Sequence, residues 1–141
     1  TLVAALLLGT DAYVANVGDS RCYHIHNETI SQVTKDHSLV QLLVSRGDIT
    51  PEEARNHPKK NLITRALGVD RDVAADCYHL AWQEGDRLLL CSDGLSNVLT
   101  DETLLEQARE PISLEEQCRS LMRMTLERGA PDNVTIVMAQ L

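Results

Sequence analysis

One apolar run near the middle of the chain restricts the fold more than any other feature. Residues Leu88–Cys91 are continuously apolar, and the chain then reaches Ser92-Asp93-Gly94. This pattern predicts a buried strand that ends on an acid. A carboxylate held there by a rigid element suits Mg²⁺ or Mn²⁺, which prefer oxygen ligands in fixed places. Taken alone, however, Ser-Asp-Gly is more often a turn with an Asx hydrogen bond.

Length and composition predict one domain and exclude some functions. The chain has 141 residues, which suits a single domain, and 43% are hydrophobic, enough for a core. Phe is absent and there is one Trp, so we expect an aliphatic core. The net charge of −8 argues against binding nucleic acid, which needs clustered Lys and Arg. A phosphate site in so acidic a chain would need metal ions to reverse the local field.

The four cysteines indicate a reduced, cytoplasmic protein. None lies in a Cys-x-x-Cys pair, and their spacing suits no zinc site. Cys22 and Cys91 lie in apolar runs and are expected in the core. The apolar run Leu2–Leu8 is far shorter than the roughly 18–20 residues that a membrane span needs. Because the chain enters this run directly from Thr1, without Met, we expect it to be a fragment of a longer protein.

Strand and helix signals alternate along the chain and predict an α+β fold. Period-two and apolar patterns predict short antiparallel strands at Leu2–Leu8, Ala12–Val17, Arg21–His26, Ile30–Val33, Ala74–Trp82, Arg87–Cys91 and Val134–Ala139. Capping signals predict helices beginning after Ser38, Thr50, Thr100 and Ser113. Residues Asn61–Gly68 are expected to form an ordered segment. Together these signals favour antiparallel sheets with helices on one face.

Three aspartates share one setting, beside a turn residue at the end of a predicted strand: Asp19, Asp93 and Asp132. If those strand ends converge, three carboxylates meet at one rim of the sheet. Like charges about 4 Å apart repel by roughly 4 kcal/mol at an effective dielectric constant near 20. Such a cluster therefore needs cations, or one acid must stay protonated. Taken singly, each residue is more simply a turn aspartate.

Other polar residues have simpler interpretations. Three further aspartates are best explained as turn or cap residues: Asp11, Asp86 and Asp101. Asp36-His37 is interpreted as a loop leading into a helix rather than as an acid–base pair. His24 and His26 share one strand face, which predicts a solvated or half-buried face rather than metal ligands. No G-x-S-x-G motif and no P-loop is found.

Six motifs, taken in order, carry a resemblance to a known family. They are VANVGDSR (Val14–Arg21), TKDHS (Thr34–Ser38), ITPEEARNHP (Ile49–Pro58), NLITRALG (Asn61–Gly68), GDRLLLCSDGL (Gly85–Leu95) and PDNVTIV (Pro131–Val137). Any one of them is weak, but six in this order at matching spacing are specific. Together they closely resemble the metal-dependent Ser/Thr protein phosphatases of type 2C, in their bacterial form.

The resemblance implies a fold, a reaction and a set of site residues. It implies a β-sandwich flanked by helices, with a binuclear Mn²⁺ or Mg²⁺ centre at one end. In that family a metal-bridging water or hydroxide attacks phosphorus in line, and the substrates are phosphorylated proteins. Asp93 and Asp132 match the family's metal-ligand positions and would act in catalysis through bound metal and water. Asp19 resembles the acid that holds a third, weaker metal together with Asp93. Residues 44–60 match the flap beside the active site and are called the flap segment below.

The sequence departs from the family in its N-terminal motifs. The phosphate-binding Arg, the Glu-Asp or Gln-Asp pair and the Asp-Gly-x-Gly-Gly motif, whose Asp bridges the metals, do not occur in it. We therefore expect residues 1–141 to be a partial phosphatase domain, nearly inactive alone. We also expect exposed strand edges that invite dimerisation or strand exchange.

Two other functions remain open. One is a non-catalytic pseudophosphatase half that binds a phosphoprotein or another partner. The other is a partner-switching sporulation or stress phosphatase of related fold. The latter is less favoured, because residues 36–38 (Asp-His-Ser) and the flap segment suit the bacterial type that counters a kinase.

Overall fold

A computed structural model describes all residues of the chain, 1–141, and has the expected α+β architecture. The elements, in chain order, are β1 (Leu2–Leu8), β2 (Asp11–Val17), β3 (Arg21–His26), β4 (Thr29–Gln32), α1 (Leu39–Arg46), α2 (Pro51–Arg55), β5 (Asp76–Ala81), β6 (Arg87–Cys91), α3 (Asp93–Ser96), α4 (Asp101–Arg109), α5 (Leu114–Glu127) and β7 (Ile136–Gln140). The strands form a first sheet in the order β1-β2-β5 and a second in the order β4-β3-β6-β7. All neighbouring strands are antiparallel.

The apolar residues form two cores on the two faces of the second sheet. Between the sheets lie Ala12, Val14, Cys22, Trp82 and Leu88. Between the second sheet and the helices lie Tyr23, Ile25, Leu89, Cys91, Leu95, Leu99, Leu104, Ala108 and Leu121. The layers are therefore sheet, sheet and helices. The cores are mainly aliphatic, as expected, but Tyr23 and Trp82 are buried in them as well.

The run that ends at Cys91 is buried because β6 lies in the interior of the second sheet, between β3 and β7. Leu88 contributes to the core between the sheets, and Leu89 to the core under the helices. Burial of a leucine side chain stabilises a fold by about 1.5–3 kcal/mol, so both faces of this strand contribute. The prediction of a buried strand ending near Cys91 is confirmed.

Helix starts and stops follow the local signals in the sequence. Ser38 accepts a hydrogen bond from the backbone N–H of Gln41 and begins α1, which ends at Gly47 with φ at 79°. Thr50 and Ser113 each form a complete capping box, and these boxes begin α2 and α5. The cap residues predicted from the sequence are therefore confirmed, because capping depends only on residues within one helical turn.

Two predictions about elements are corrected. The last strand begins at Ile136 rather than Val134, and it is a half-exposed edge strand in which Val137 is 56% exposed. Ser92-Asp93-Gly94 is the start of α3 rather than a turn. The segment of residues 61–68, expected to be ordered, contains no helix or strand and pairs with the start of α1 through an isolated bridge between Ile63 and Ser38.

The outer face of the first sheet is apolar and open. Leu2, Leu6, Leu8 and Tyr13 are each at least 45% exposed. Exposed apolar patches of this kind are typical of surfaces that bind another protein surface. None of the helices is both long and apolar enough to cross a bilayer.

Candidate metal centre

A cavity of about 730 Å³ opens at the end of the sandwich where β3 begins and β6 ends. Asp19 and Asp93 line it on the side of the sheets. Residues of α1 and α2, with the start of α4, line the opposite side. The cavity therefore lies between the predicted metal ligands and the flap segment.

Asp93 is the first residue of the short helix α3, directly after the buried strand β6. Its carboxylate is half-buried, and Oδ2 accepts a hydrogen bond of 3.2 Å from Nδ2 of Asn97, one helical turn later. That bond engages only one of the two carboxylate oxygens of Asp93. The rigid strand and the Asn97 amide together hold an oxygen donor at the edge of the cavity.

The loop that carries Asp132 is tied to the residues around Asp93. The hydroxyl of Ser92 donates to the carbonyl oxygen of Asn133 and accepts from the backbone N–H of Thr135, both at 3.0 Å. A Cβ on Gly94 would overlap the Asn133 carbonyl oxygen, so only glycine permits this close approach. Asp132 itself is exposed, and its Oδ1 accepts from the Asn133 N–H at 2.7 Å.

Asp19 follows a turn between β2 and β3 that depends on a glycine. Gly18 has φ at 113°, a conformation that other residues rarely adopt, and it is buried. The carboxylate of Asp19 is half-buried and lines the same cavity as Asp93.

The pKa of Asp93 responds to the other two carboxylates. Burial raises the pKa of Asp93, and the nearby carboxylates of Asp19 and Asp132 raise that pKa further. Burial also raises the pKa of Asp19, and its neighbour Asp36 adds to the effect. The structure thus brings Asp19 and Asp93 to one cavity, with Asp132 close enough to act on Asp93. Their role as ligands stays a prediction.

The donors at this site fit a hard cation as part of a ligand set. Asp19, Asp93 and Asp132 supply only carboxylate oxygens, and none of them is in a salt bridge. Carboxylates that are close together and not held in a salt bridge are the donors that Mg²⁺ and Mn²⁺ prefer. No three His, Cys, Asp or Glu side chains in the chain are arranged to hold a metal by themselves.

An ion pair in the cavity wall was not predicted from the sequence. Nε and Nη2 of Arg21 donate to the carboxylate of Asp36 at 2.7–3.0 Å. Nε2 of Gln32 adds a hydrogen bond of 2.9 Å to the same carboxylate. Arg21 lines the cavity but is neutralised by Asp36, so it is not a free cation for phosphate. The residues are too far apart in the sequence for any local signal to pair them.

A second cluster at the far end of β3 was also missed. The carboxylate of Asp86 is buried and contacts Nε2 of His24 at 2.8 Å and Nδ1 of His26 at 2.7 Å. The alternation of β3 correctly predicted that both histidines share a half-buried face. The interpretation of Asp86 as a simple turn residue is incomplete. It does accept from the Gln83 N–H, but it is also the shared partner of both imidazoles.

The flap segment contributes most of the positive charge around the cavity. Arg55 and Lys60 line it, and Arg55 also forms an exposed ion pair of 3.7 Å with Asp101 at the start of α4. Exposed pairs of this kind contribute about 0–1 kcal/mol, so the contact with α4 is weak.

Two family models match this chain. The model described as stage II sporulation protein E (SpoIIE) matches residues 22–141. The model described as protein phosphatase 2C matches residues 1–42. The two matches together extend over the whole length of the chain.

Similar proteins carry phosphatase names. A serine/threonine phosphatase stp from Listeria welshimeri is 41% identical over 140 residues, which are 99% of this chain and 56% of that protein. The phosphatase PstP of Mycobacterium tuberculosis is 44% identical over 139 residues, which are 99% of this chain and 27% of that protein. The chain thus spans little more than half of the Listeria relative and less of the mycobacterial one.

Solved structures have the same fold. The crystal structure of M. tuberculosis PstP/Ppp superposes with a TM-score of 0.93 at 43% identity and covers 99% of this chain and 58% of that one. The phosphatase Stp1 of Staphylococcus aureus gives a TM-score of 0.93 at 38% identity, with 99% and 55% covered.

Proposed function

Because this chain belongs to the type 2C protein phosphatase family, we propose that the protein removes phosphate from phosphoserine and phosphothreonine in other proteins. The observation that carries the proposal is that Asp19 and Asp93 line one cavity. The contacts of Ser92 and Gly94 with Asn133 hold the loop of Asp132 next to Asp93. The names of the relatives support the same reaction class.

We propose Mn²⁺ or Mg²⁺ as the cofactor. Asp93 and Asp132 would hold the ions used in catalysis, and Asp19 with Asp93 a further, weaker one. When bound, such ions lower the pKa of a water molecule and neutralise charge on the phosphoryl group. One similar structure, the catalytic domain of PstP, is described as a complex with two manganese ions and has a TM-score of 0.87 to this chain.

The residues of this chain would bind and orient the substrate. Arg55 and Lys60 lie on the flap side of the cavity and provide positive charge where a phosphorylated peptide would enter. Arg21 is already paired with Asp36, so its role is to shape the wall. We propose that the substrates are proteins phosphorylated by a Ser/Thr kinase. We also propose a cytoplasmic location, in keeping with four cysteines that are all free thiols.

We further propose that the 141-residue chain alone binds metal weakly and turns over slowly. Its carboxylates do not form a complete ligand set. A site of one or two carboxylates usually depends on water or further ligands to hold Mg²⁺.

Calorimetric titration with Mn²⁺, together with hydrolysis of p-nitrophenyl phosphate and of a phosphothreonine peptide, tests the proposal. We expect weak Mn²⁺ binding that Asp93→Asn and Asp132→Asn abolish. Asp11→Asn is the matched control, because Asp11 pairs with His79 outside the cavity.

Unchanged Mn²⁺ affinity in Asp93→Asn would contradict the assignment of the site. Rapid Mn²⁺-dependent turnover by the 141-residue chain alone would show that this chain does supply a complete ligand set. Tight binding of the phosphopeptide that needs no Mn²⁺ would instead favour the pseudophosphatase.

A further inference from the structure

His37 is a buried histidine that the proposed reaction does not use. Its side chain is 7% exposed, and its two ring nitrogens contact different parts of the fold. We propose that His37 is a positioning residue that holds the Asp19 turn and the base of the flap segment in one fixed arrangement. Only one part of this proposal rests on the proposed function, namely that Asp19 is a metal ligand.

One side of the imidazole holds the turn before Asp19. Nδ1 of His37 accepts from the backbone N–H of Gly18 at 3.0 Å, and the His37 N–H donates to the Gly18 carbonyl oxygen at 2.8 Å. Both polar groups of Gly18 therefore bind His37, and the Gly18 carbonyl oxygen also accepts from Nδ2 of Asn16 at 3.3 Å. Because a backbone N–H only donates, Nδ1 must be unprotonated, and the ring proton lies on Nε2.

The other side of the imidazole contacts the first sheet and the chain leaving the flap segment. Nε2 donates to Oδ2 of Asp76 at 3.0 Å. Nη1 of Arg65 donates to Oδ1 of the same carboxylate at 2.6 Å and to the Ala74 carbonyl oxygen at 2.9 Å. Asp76, at the start of β5, therefore joins His37 to Arg65, whose Nη1 also lies 3.2 Å from Nε2 of His37 itself.

The chain between residues 38 and 63, which contains the flap segment, begins and ends directly beside His37. Ser38 and Ile63 form a bridge, and Leu39 N–H donates to the Leu62 carbonyl oxygen at 2.9 Å. The Thr64 N–H donates to the carbonyl oxygen of His37 itself at 2.8 Å. His37 therefore connects the base of the flap segment directly to Gly18, the residue that precedes Asp19.

Two substitutions, His37→Asn and His37→Gln, distinguish the contact of Nδ1 with Gly18 from the contact of Nε2 with Asp76. Asn at position 37 places an acceptor oxygen near the position of Nδ1 and restores the bond to Gly18. Gln places its amide near Nε2 and restores the contact with Asp76 alone. His79→Ala is the control, because His79 pairs with an exposed aspartate on the outer face of the first sheet.

Amide hydrogen exchange of Gly18 in the 141-residue chain, followed by NMR, is the first test. We expect His37→Ala and His37→Gln to raise the exchange rate at Gly18 about tenfold or more, with His37→Asn and His79→Ala near wild type. Unchanged protection of Gly18 in His37→Ala, or loss of it in a folded His37→Asn variant, would overturn the proposal.

Mn²⁺ titration is the second test and addresses Asp19. We expect His37→Ala to weaken Mn²⁺ binding as much as Asp19→Ala does, and His37→Asn to restore it. If Asp19→Ala weakens binding but His37→Ala does not, His37 does not position Asp19. If the wild-type chain binds no Mn²⁺, the proposed function fails, while Gly18 exchange still decides the role of His37.

Discussion

Contacts of a few individual side chains determine where the carboxylates of the candidate site lie. The Ser92 hydroxyl bonds to both sides of the loop that follows Asp132, and the missing side chain of Gly94 leaves room for the Asn133 carbonyl. Asn97 orients Asp93 from one turn further along α3. Groups that orient a metal ligand in this way typically change metal affinity about 10–100-fold when they are removed.

Gly94→Ala is expected to weaken Mn²⁺ binding about tenfold or more, because the new methyl group displaces the loop that carries Asp132. Overpacking of this kind costs about 1–3 kcal/mol of stability. Calorimetric titration and chemical denaturation measure the two effects. Gly85→Ala is the matched control, because its φ of 92° disfavours alanine while the added methyl group meets no other atom and lies outside the cavity. Equal Mn²⁺ affinity in Gly94→Ala and wild type would show that the close approach to Asn133 is not needed.

Asp86 is expected to make stability depend on pH in the acid range. Burial alone raises the pKa of Asp86, but the hydrogen bonds of His24 and His26 outweigh burial and lower that pKa overall. A carboxyl whose pKa is lower in the folded state than in the unfolded state stabilises the folded state. This stabilisation is fully present at pH values above the unfolded-state pKa, which is about 3.9 for Asp. This contribution is lost as the pH falls below about 4 and through the folded pKa.

Denaturation of wild type and Asp86→Asn at several pH values measures this contribution. We expect the wild type to be more stable at pH 7 and the difference to shrink steadily below about pH 4. A difference that is the same at pH 7 and pH 3 would mean that the charge of Asp86 contributes nothing.

Secondary structure elements place these residues, and local caps define several of the elements. The capping box of Ser113 and Glu116 begins α5, which covers the second sheet through Leu121. The short helix α3 has no side-chain cap bond and depends on packing against the loop of residues 132–135 instead. Helix α5 is thus specified by its own sequence, whereas α3 is specified by its tertiary contacts.

Ser113→Ala is expected to reduce the free energy of unfolding by about 1 kcal/mol, because the N–H of Glu116 loses its cap acceptor. Ser113→Thr keeps both the acceptor for the Glu116 N–H and the donor to the Glu116 carboxylate, and it is expected to remain near wild type. Urea denaturation measures both changes. A loss of similar size in both variants would show that the cap bond is not the cause.

At the scale of the whole molecule, helices cover one face of the sandwich and leave the other open. The second sheet carries α3, α4 and α5 on its outer face. The outer face of the first sheet instead exposes leucines and a tyrosine. A folded chain with such a patch gains stability when another surface covers it.

We expect the chain to self-associate through this open face at high concentration. Leu6 is 58% exposed there, and Leu6→Lys is expected to shift the molecule towards monomer in sedimentation velocity. Leu126→Lys is the matched control, because Leu126 is 60% exposed on α5 and outside this face. A wild type that stays monomeric at all concentrations would contradict this prediction.

The sequence by itself determined the strands, the capped helices and the acidic residues of the candidate site. Ser38, Thr50 and Ser113 were identifiable as caps because a cap involves residues only a few positions apart. The run that ends at Cys91 indicated a buried strand because its pattern is local. Asp19, Asp93 and Asp132 were selected by their common place at strand ends and by the resemblance to the phosphatase family.

Only the tertiary structure decided which distant residues meet. Asp86 lies 60 and 62 positions from the histidines that it joins, and His37 lies 39 positions from Asp76. Such partners depend on sheet register and on how the layers pack, and local patterns contain neither. The open face of the first sheet likewise became visible only when the layers were placed, because an apolar strand has the same sequence whether or not its face is covered.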